Sequence, residues 1–315
     1  MPAPTLIIIN PKAGKRPPRF SRLEARLKEV VGELELVRTR KPRDAIRIAR
    51  EAVRSGVERL VVGGGDGTLS EVVTGILDAG LGSEVEIGFL PLGSGCDLAR
   101  SVGLPRSIPR TLELLATGQR RKLDAGRVRF IGRDGSEGSF CFVNETSFGL
   151  SGLTVDWMNR FGRRLGSRFG FALAAAQAVI RHPTPDLAIS VDGREVHCGP
   201  TSMVAVANGC FFGGGMKIAP DALLEDGQFD VVIVGPLSRR RLLANLPSLY
   251  RGTHLSHPAV SVFRGTRIEA QPRNGSQALL DADGEALGFL PVSVELLPSA
   301  ITLFGVPPID ESGRS

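Results

Sequence analysis

Glycines and carboxylates gather at a few places in this 315-residue chain. The run Gly63-Gly64-Gly65-Asp66-Gly67-Thr68 follows the apolar triplet Leu60-Val61-Val62 and precedes a helical pattern from Leu69. A strand that ends in glycines and opens a helix presents successive backbone N–H groups, and the helix dipole adds to their pull on an anion. A plain turn needs one or two glycines rather than four around a carboxylate, so the run reads as a phosphate cradle. It contains neither GxxxxGK[ST] nor GxGxxG, which argues against a P-loop and a dinucleotide fingerprint. Two more turns follow strands in the same way: Asn10-Pro11-Lys12-Ala13-Gly14-Lys15 and Pro91-Leu92-Gly93-Ser94-Gly95-Cys96-Asp97. Each alone is an ordinary loop sequence. Open parallel sheets bind ligands at the carboxyl ends of their strands, so the three turns are expected to converge there.

Acidic residues recur later. Asp281-Ala282-Asp283-Gly284-Glu285 reads as a hairpin with exposed acids or as a site for base catalysis. Asp124 in Leu123-Asp124-Ala125-Gly126 and Asp226 in Glu225-Asp226-Gly227 each read as a turn or as a metal ligand. His254-x-x-His257 has no third ligand nearby and lies in a Gly/Ser/Pro-flanked segment, so it is expected to be structural.

The elements that must hold these residues alternate over the first 125 residues as βα units. Strands are expected at 6–9, 34–37, 60–62 and 87–90, with helices at 21–31, 43–55 and 69–79 and another opening at Asp97. This is a parallel, helix-covered sheet. Beyond residue 124 the pattern changes to short strands at 140–143, 187–191, 195–198, 203–207, 229–234, 267–270 and 292–297, with Asp192-Gly193 as a hairpin turn. One helix is expected across the Ala-rich stretch 157–181. The expected fold class is α/β, a parallel-sheet domain followed by a mainly-β sandwich. The boundaries fall at 1–124, 125–295 and 296–315, the last a strand and tail returning to the first domain.

The set Asn10-Pro11-x-x-Gly14, Gly64-Gly65-Asp66-Gly67-Thr68 and Gly93-Ser94-x-x-Asp97 resembles the nucleotide-binding half of the diacylglycerol kinase catalytic family, which includes bacterial lipid kinases, sphingosine kinases and ceramide kinases. The GGDGT run is shared with NAD kinases and, in related form, with phosphofructokinases. The second half is similar to the lipid-kinase order: Asn144-Glu145-Thr146-Ser147-Phe148-Gly149, then residues 213–222 running into Glu225-Asp226-Gly227, then Asp283-Gly284-Glu285. Gly95-Cys96 departs from the small residue and Asn usual in bacterial relatives, and Gly93-Ser94-Gly95 is closer to the sphingosine-kinase form.

The resemblance implies an ATP-dependent lipid kinase acting on diacylglycerol or on a sphingoid or ceramide-like lipid. By it, ATP contacts Asn10, Gly14, Thr39, Gly64, Gly65, Asp66, Gly67, Thr68, Leu69, Ser70, Gly93 and Ser94. Asp66, Asp97 and Asp124 form the network around a catalytic Mg²⁺, and a second Mg²⁺ uses the Asp226 carboxylate with main-chain oxygens of Leu223 and Gln228. Glu285 is the candidate general base and Asp283 the second choice. The alternatives are NAD kinase and a nucleotide- or lipid-binding module without turnover; the intact Asp66, Asp97 and Glu285 argue against the second.

Composition narrows the partners. A net charge of +6 favours an anionic membrane surface, nucleic acid or an acidic substrate. Aromatics at 5%, with one Trp and one Tyr, leave no stacking platform among the basic residues, so nucleic acid is not expected. Arg160, Arg163, Arg164 and Arg168 precede Phe169-Gly170-Phe171 and read either as a solvated helix face or as a membrane-facing one, as do Arg239-Arg240-Arg241 before Leu242. Cys96, Cys141, Cys198 and Cys210 lie far apart with no CxxC, which fits free thiols. Met1-Pro2-Ala3-Pro4-Thr5 lacks a basic n-region, and no apolar run is long enough to span a bilayer. A cytoplasmic protein visiting the inner membrane surface is expected.

Overall fold

The computed structural model describes residues 5–14, 20–161, 167–181 and 184–308. Lys15, Arg163, Arg164 and residues 309–315 lie outside them. The chain forms two units, Met1–Ala125 with Pro298–Ser315, and Gly126–Leu297.

In the first unit, β1 (Thr5–Ile9), α1 (Phe20–Val31), β2 (Leu34–Arg38), α2 (Asp44–Arg54), β3 (Arg59–Gly64), α3 (Asp66–Asp78), β4 (Glu86–Pro91), α4 (Asp97–Ser101) and α5 (Ile108–Thr117) follow in order. The strands lie parallel as β2-β1-β3-β4, with Ile9 level with Arg38 on one side and Gly63 on the other. All five residues of β1 are buried, as expected of a strand covered on both faces. Leu23 and Leu27 of α1 and Leu112 and Leu115 of α5 cover Ile7, Ile9, Val61 and Leu90. On α2, Ala45, Ile48, Ala49, Ala52 and Val53 form the buried stripe of an amphipathic helix. The chain leaves β1 toward β2 and comes back on the other side of β1 as β3. That reversal puts a topological switch point at the carboxyl ends of β1 and β3.

The second unit starts at Gly126 within β5 (Gln119–Gly132), whose first half belongs to the first unit, and runs through β6 (Glu137–Phe142), β7 (Glu145–Gly149), α6 (Leu150–Phe161), α7 (Ser167–Arg181), β8 (Asp186–Val191), β9 (Arg194–Pro200), β10 (Met203–Ala207), the short pair β11 (Phe211–Phe212) and β12 (Met216–Lys217), β13 (Phe229–Val234), α8 (Arg239–Arg251), β14 (Val260–Gly265), β15 (Arg267–Pro272), β16 (Leu279–Ala282) and into β17 (Glu285–Val306). Its strands pair antiparallel as β14-β13-β10-β7-β16-β17, and β17 pairs again through β15 to β8 and β9. Strands β7, β10 and β13 are wholly buried. Leu150, Val179, Met203, Ala205 and Val232 form a core against which Leu242, Leu249 and Tyr250 of α8 pack. Asp192 and Gly193 have φ of 49° and 80°, the left-handed pair of a type I′ hairpin turn between β8 and β9. The far end of β17 belongs to the first unit, where Thr302, Leu303 and Phe304 pair in parallel with β4.

Two expectations need correction. The helix expected across 157–181 corresponds to two described helices, α6 from Leu150 to Phe161 and α7 from Ser167 to Arg181, with 162–166 outside the described residues. The strand expected at 292–297 is the middle of the 22-residue β17, whose Pro291, Pro298 and Gly288 break the pattern that a sequence reading follows.

Phe142, fully buried, stacks on Phe229 with ring centroids 5.6 Å apart. Phe142→Ala is expected to destabilise the second unit by about 3–5 kcal/mol, read as a lowered urea midpoint.

Candidate functional site

The glycine run is shorter as a loop than its sequence suggests. Gly63 and Gly64 stay in β3, paired with Leu90 and Pro91 of β4, because ladder partners outweigh the poor strand propensity of glycine. Gly65 alone separates strand from helix and is the N-cap of α3. The expected loop from Gly64 to Ser70 is therefore a strand end, a cap and the first turn of α3, with Asp66, Gly67, Thr68, Leu69 and Ser70 all helical. The anion-attracting chemistry survives this correction, since a helix start presents N–H donors whatever precedes it.

Three strand ends are tied together here. Asn10 sits past β1, where its N–H donates to Gly63 O at 2.9 Å and its Nδ2 donates to Thr68 Oγ1 at 3.1 Å. Asn10 Oδ1 accepts the Lys12 N–H at 3.0 Å, which turns the chain. Gly14 has φ 76°, and a Cβ there would run into the Leu92 carbonyl oxygen. Past β4, the N–H groups of Leu92 and Gly93 both donate to Gly64 O, at 2.8 and 2.9 Å. A Cβ on Gly93 would lie 2.5 Å from Gly65 Cα, so only glycine permits this approach. Thr39, at the end of β2, donates its N–H to Ile9 O at 2.9 Å. Ser94 is exposed on the same turn, and Arg106 donates to its carbonyl at 3.0 Å and to that of Gly95.

The carboxylates divide. Asp66 Oδ2 accepts the Asp97 N–H at 2.9 Å and Oδ1 accepts the Leu98 N–H at 3.1 Å, so Asp66 caps α4 across the sheet end. Asp97 is buried and ion-paired with Arg100. A Cβ on Gly95 would lie 3.6 Å from Asp66 Oδ2 and 3.8 Å from Asp97 Oδ2, so the two carboxylates bracket one point. Such a donor pair beside a phosphate site fits Mg²⁺, which is held by one or two carboxylates plus substrate phosphates. Asp124 Oδ1 accepts the Ser299 N–H at 2.7 Å and so fixes β5 to the returning chain. Cys96, in the left-handed region at φ 50°, donates its thiol to Gly93 O at 3.3 Å. Burial, with Asp66 beside it, pushes that thiol far above its ordinary range, so it is an inert part of the turn.

Sequence reasoning passed over Glu71, Arg100 and Arg106. Glu71 of α3 accepts the N–H groups of Arg43 at 2.9 Å and Ala45 at 3.2 Å, docking the start of α2, and burial raises its pKa. A lone acid in the otherwise uncharged stretch 69–77 was the available signal.

In the second unit, Asp283 and Gly284 form a type I′ turn, with φ of 47° and 78°. Its acids are not all exposed: Asp281 and Asp283 are buried, while Glu285 is half-buried. The Asp283 carboxylate accepts the N–H groups of Val143 at 2.8 Å, Asn144 at 3.2 Å and Glu145 at 2.9 Å. Asn159 of α6 donates to Gly284 O at 3.2 Å. Asp226 Oδ1 accepts the Gln228 N–H at 3.1 Å, and its other oxygen pairs with Arg264, a cation the expected ligand set did not include. Leu223 is exposed nearby in the chain. His254 is buried with Nε2 donating to Ile218 O at 3.0 Å, and His257 Nδ1 accepts the Ala259 N–H at 3.1 Å, so both histidines serve the main chain. Among the described residues no group of three or more His, Cys, Asp and Glu is placed to hold a metal by itself. No described helix is long and apolar enough to cross a membrane.

Comparison with known proteins agrees with this architecture. Residues 4–128 match the diacylglycerol kinase catalytic domain, and residues 144–305 match the YegS C-terminal NAD kinase beta sandwich-like domain. A Chromohalobacter salexigens protein named "Probable lipid kinase YegS-like" is 28% identical over 95% of this chain and 92% of its own length. A Mycobacterium tuberculosis diacylglycerol kinase is 29% identical over 82% of this chain and 80% of its own. In fold, a diacylglycerol kinase structure from Bacillus anthracis superposes with TM-score 0.70 at 20% identity, covering 96% of both chains. Yeast NADH kinase complexed with NADH gives 0.55 at 13% identity, covering 99% of this chain and 85% of that one.

Removing the Asp66 carboxylate strands two N–H donors at the start of α4. Asp66→Ala is expected to cost about 0.5–2 kcal/mol by urea denaturation, and Asp66→Asn, which keeps an acceptor oxygen, less.

Proposed function

This chain belongs to the lipid kinase family that joins a diacylglycerol kinase catalytic domain to a YegS-type C-terminal domain, and from that premise we propose that it transfers the γ-phosphate of ATP to the hydroxyl of a lipid alcohol. Diacylglycerol is the first acceptor, giving phosphatidic acid, and a sphingoid or ceramide-like lipid is the second. The observation that carries the reading is the convergence of the Asn10–Gly14, Gly64–Thr68 and Gly93–Ser94 turns at the switch point of the parallel sheet, where glycines leave room for phosphate against main chain.

In this reading Asn10, Gly14, Thr39, residues 64–70, Gly93 and Ser94 surround the nucleotide. Asp66, Asp97 and Asp124 would hold Mg²⁺, which would neutralise phosphate charge. The Asp226 carboxylate with the main-chain oxygens of Leu223 and Gln228 would hold a second ion in place of the Arg264 guanidinium with which Asp226 is paired. Glu285 takes the proton from the lipid hydroxyl. Asp283, with three N–H donors on its oxygens, keeps the turn in place rather than acting as base. The substrate is membrane-borne, and the +6 charge draws the enzyme transiently to the anionic inner surface from the cytoplasm.

The NADH kinase fold likeness supports a second reading, NAD phosphorylation. Radiolabelled ATP offered with diacylglycerol, sphingosine and ceramide in neutral or anionic vesicles, and with NAD in solution, separates the two. Labelled lipid is expected, more from anionic vesicles and less at high salt; labelled NADP alone contradicts the lipid reading, and no transfer at all leaves a binding module. Glu285→Gln is expected to lower kcat roughly 10²–10⁴-fold while ATP binding persists. If Glu285→Gln keeps its kcat and Asp283→Asn loses it, the roles of the two acids are reversed.

A further inference from the structure

Strands β7 and β16 bury two acids that the phosphoryl-transfer reading leaves without a task. Their register sets Asp281 opposite Ser147 and Ala282 opposite Thr146. Side chains alternate along a strand, so Asp281, Ser147 and Glu145 share one face. Across β7 on that face stand Ala205 and Ala207 of β10, fully buried and apolar. Asp281 is 1% exposed and Glu145 4%. Ser147 Oγ donates to Asp281 Oδ1 at 2.8 Å, whereas Oδ2 meets no N–H or O–H donor among the described residues. Glu145 stands two positions along from Ser147 on the same face, diagonal to Asp281, with its carboxyl within hydrogen-bonding reach of it. Two ionised carboxylates are acceptors only, so a hydrogen bond between this pair requires a proton on one of them.

We propose that Asp281 and Glu145 share one proton, and that this proton keeps the Asp283-Gly284-Glu285 turn in register with β7, making both acids positioning residues for the base. Glu145 is the link. Its N–H donates to Asp283 Oδ1 at 2.9 Å, and its carbonyl accepts the Asp283 N–H at 3.0 Å. Charging both carboxyls would push Glu145 away from Asp281 and pull on those two bonds. The catalytic half of the proposal rests on Glu285 as base; the shared proton does not.

Burial raises the Asp281 carboxyl to about 7, helped by the charge of Asp283 and opposed by the hydrogen bond from Ser147 and by the contact with Glu145. Titratable groups on the surrounding elements are Glu145 on β7, Asp283 and Glu285 on the hairpin, Cys141 on β6, and on α6 Asp156, ion-paired with Arg133. An unfolded aspartate titrates near 4. The folded chain therefore binds the proton more tightly, the stabilisation is complete below about pH 4, and it is lost as pH rises toward about 7.

The test uses the full chain and its Asp281→Asn variant, whose Nδ2 donates to Glu145 without titrating, with Glu145→Gln as the second variant should the first not fold. Urea midpoints across pH, the infrared carbonyl band of a protonated carboxylic acid, and kcat against pH are recorded. The wild type is expected to lose midpoint as pH rises from about 4 to 7 and to show the band. The variant is expected to lose both features and to flatten the alkaline fall of kcat, with KM for ATP unchanged within about twofold. An unchanged slope and band in the variant overturn the shared proton. A lost slope with an unchanged kcat profile overturns the positioning role. A wild type inactive on every lipid sinks the kinase reading instead, and the midpoints and infrared band still decide the proton.

Discussion

Main chain meets main chain at the ends of β3 and β4, and the rest of the first unit is arranged around that contact. The N–H groups of Leu92 and Gly93 converge on Gly64 O, and Gly93 lies so close to Gly65 that no side chain fits between them. Asp66 then reaches across to cap α4 through Asp97 and Leu98. Because the approach is backbone to backbone, its geometry depends on hydrogen bonds and on the absence of Cβ atoms rather than on flexible side chains. That gives a rigid edge where a sheet reverses its strand order, the usual place for a phosphate-bearing ligand.

Carboxylates in this molecule take their roles from their acceptor and donor surroundings. Asp66 and Asp97 bracket a common point. Asp283 is consumed by three main-chain donors, and Asp281 sits in an apolar face beside another acid. Asp66 thus caps a helix, Asp97 pairs with Arg100, Asp283 holds a turn and Asp281 is buried beside Glu145, a division that residue type alone does not distinguish.

Much of this was legible from the chain. Met203 to Ala207 is an apolar run and Phe229 to Val234 is apolar but for Asp230, and the structure begins and ends its strands at those same residues. The two-domain α/β class followed from the change of pattern near residue 124 and is shared with the solved structures of similar fold. The glycine run misled as to its ends, since pairing with Leu90 and Pro91 holds Gly63 and Gly64 in a strand that glycine by itself disfavours. Helix α5 escaped notice because Pro109 stands at its first turn, where proline is tolerated but reads as a breaker. The burial of Asp281 and the capping by Asp66 arise from contacts across 134 and 31 positions of sequence, which no local pattern encodes.

The central claim is that the glycine-built edge of the first unit binds ATP. Calorimetric titration of the wild type and Gly93→Ala with MgATP tests it most directly, with circular dichroism showing that the variant is folded. Because the added methyl would meet Gly65 Cα at 2.5 Å and force the two turns apart, ATP binding is expected to fall by at least about tenfold in the folded variant. An unchanged Kd in folded Gly93→Ala would contradict the account and place the nucleotide elsewhere.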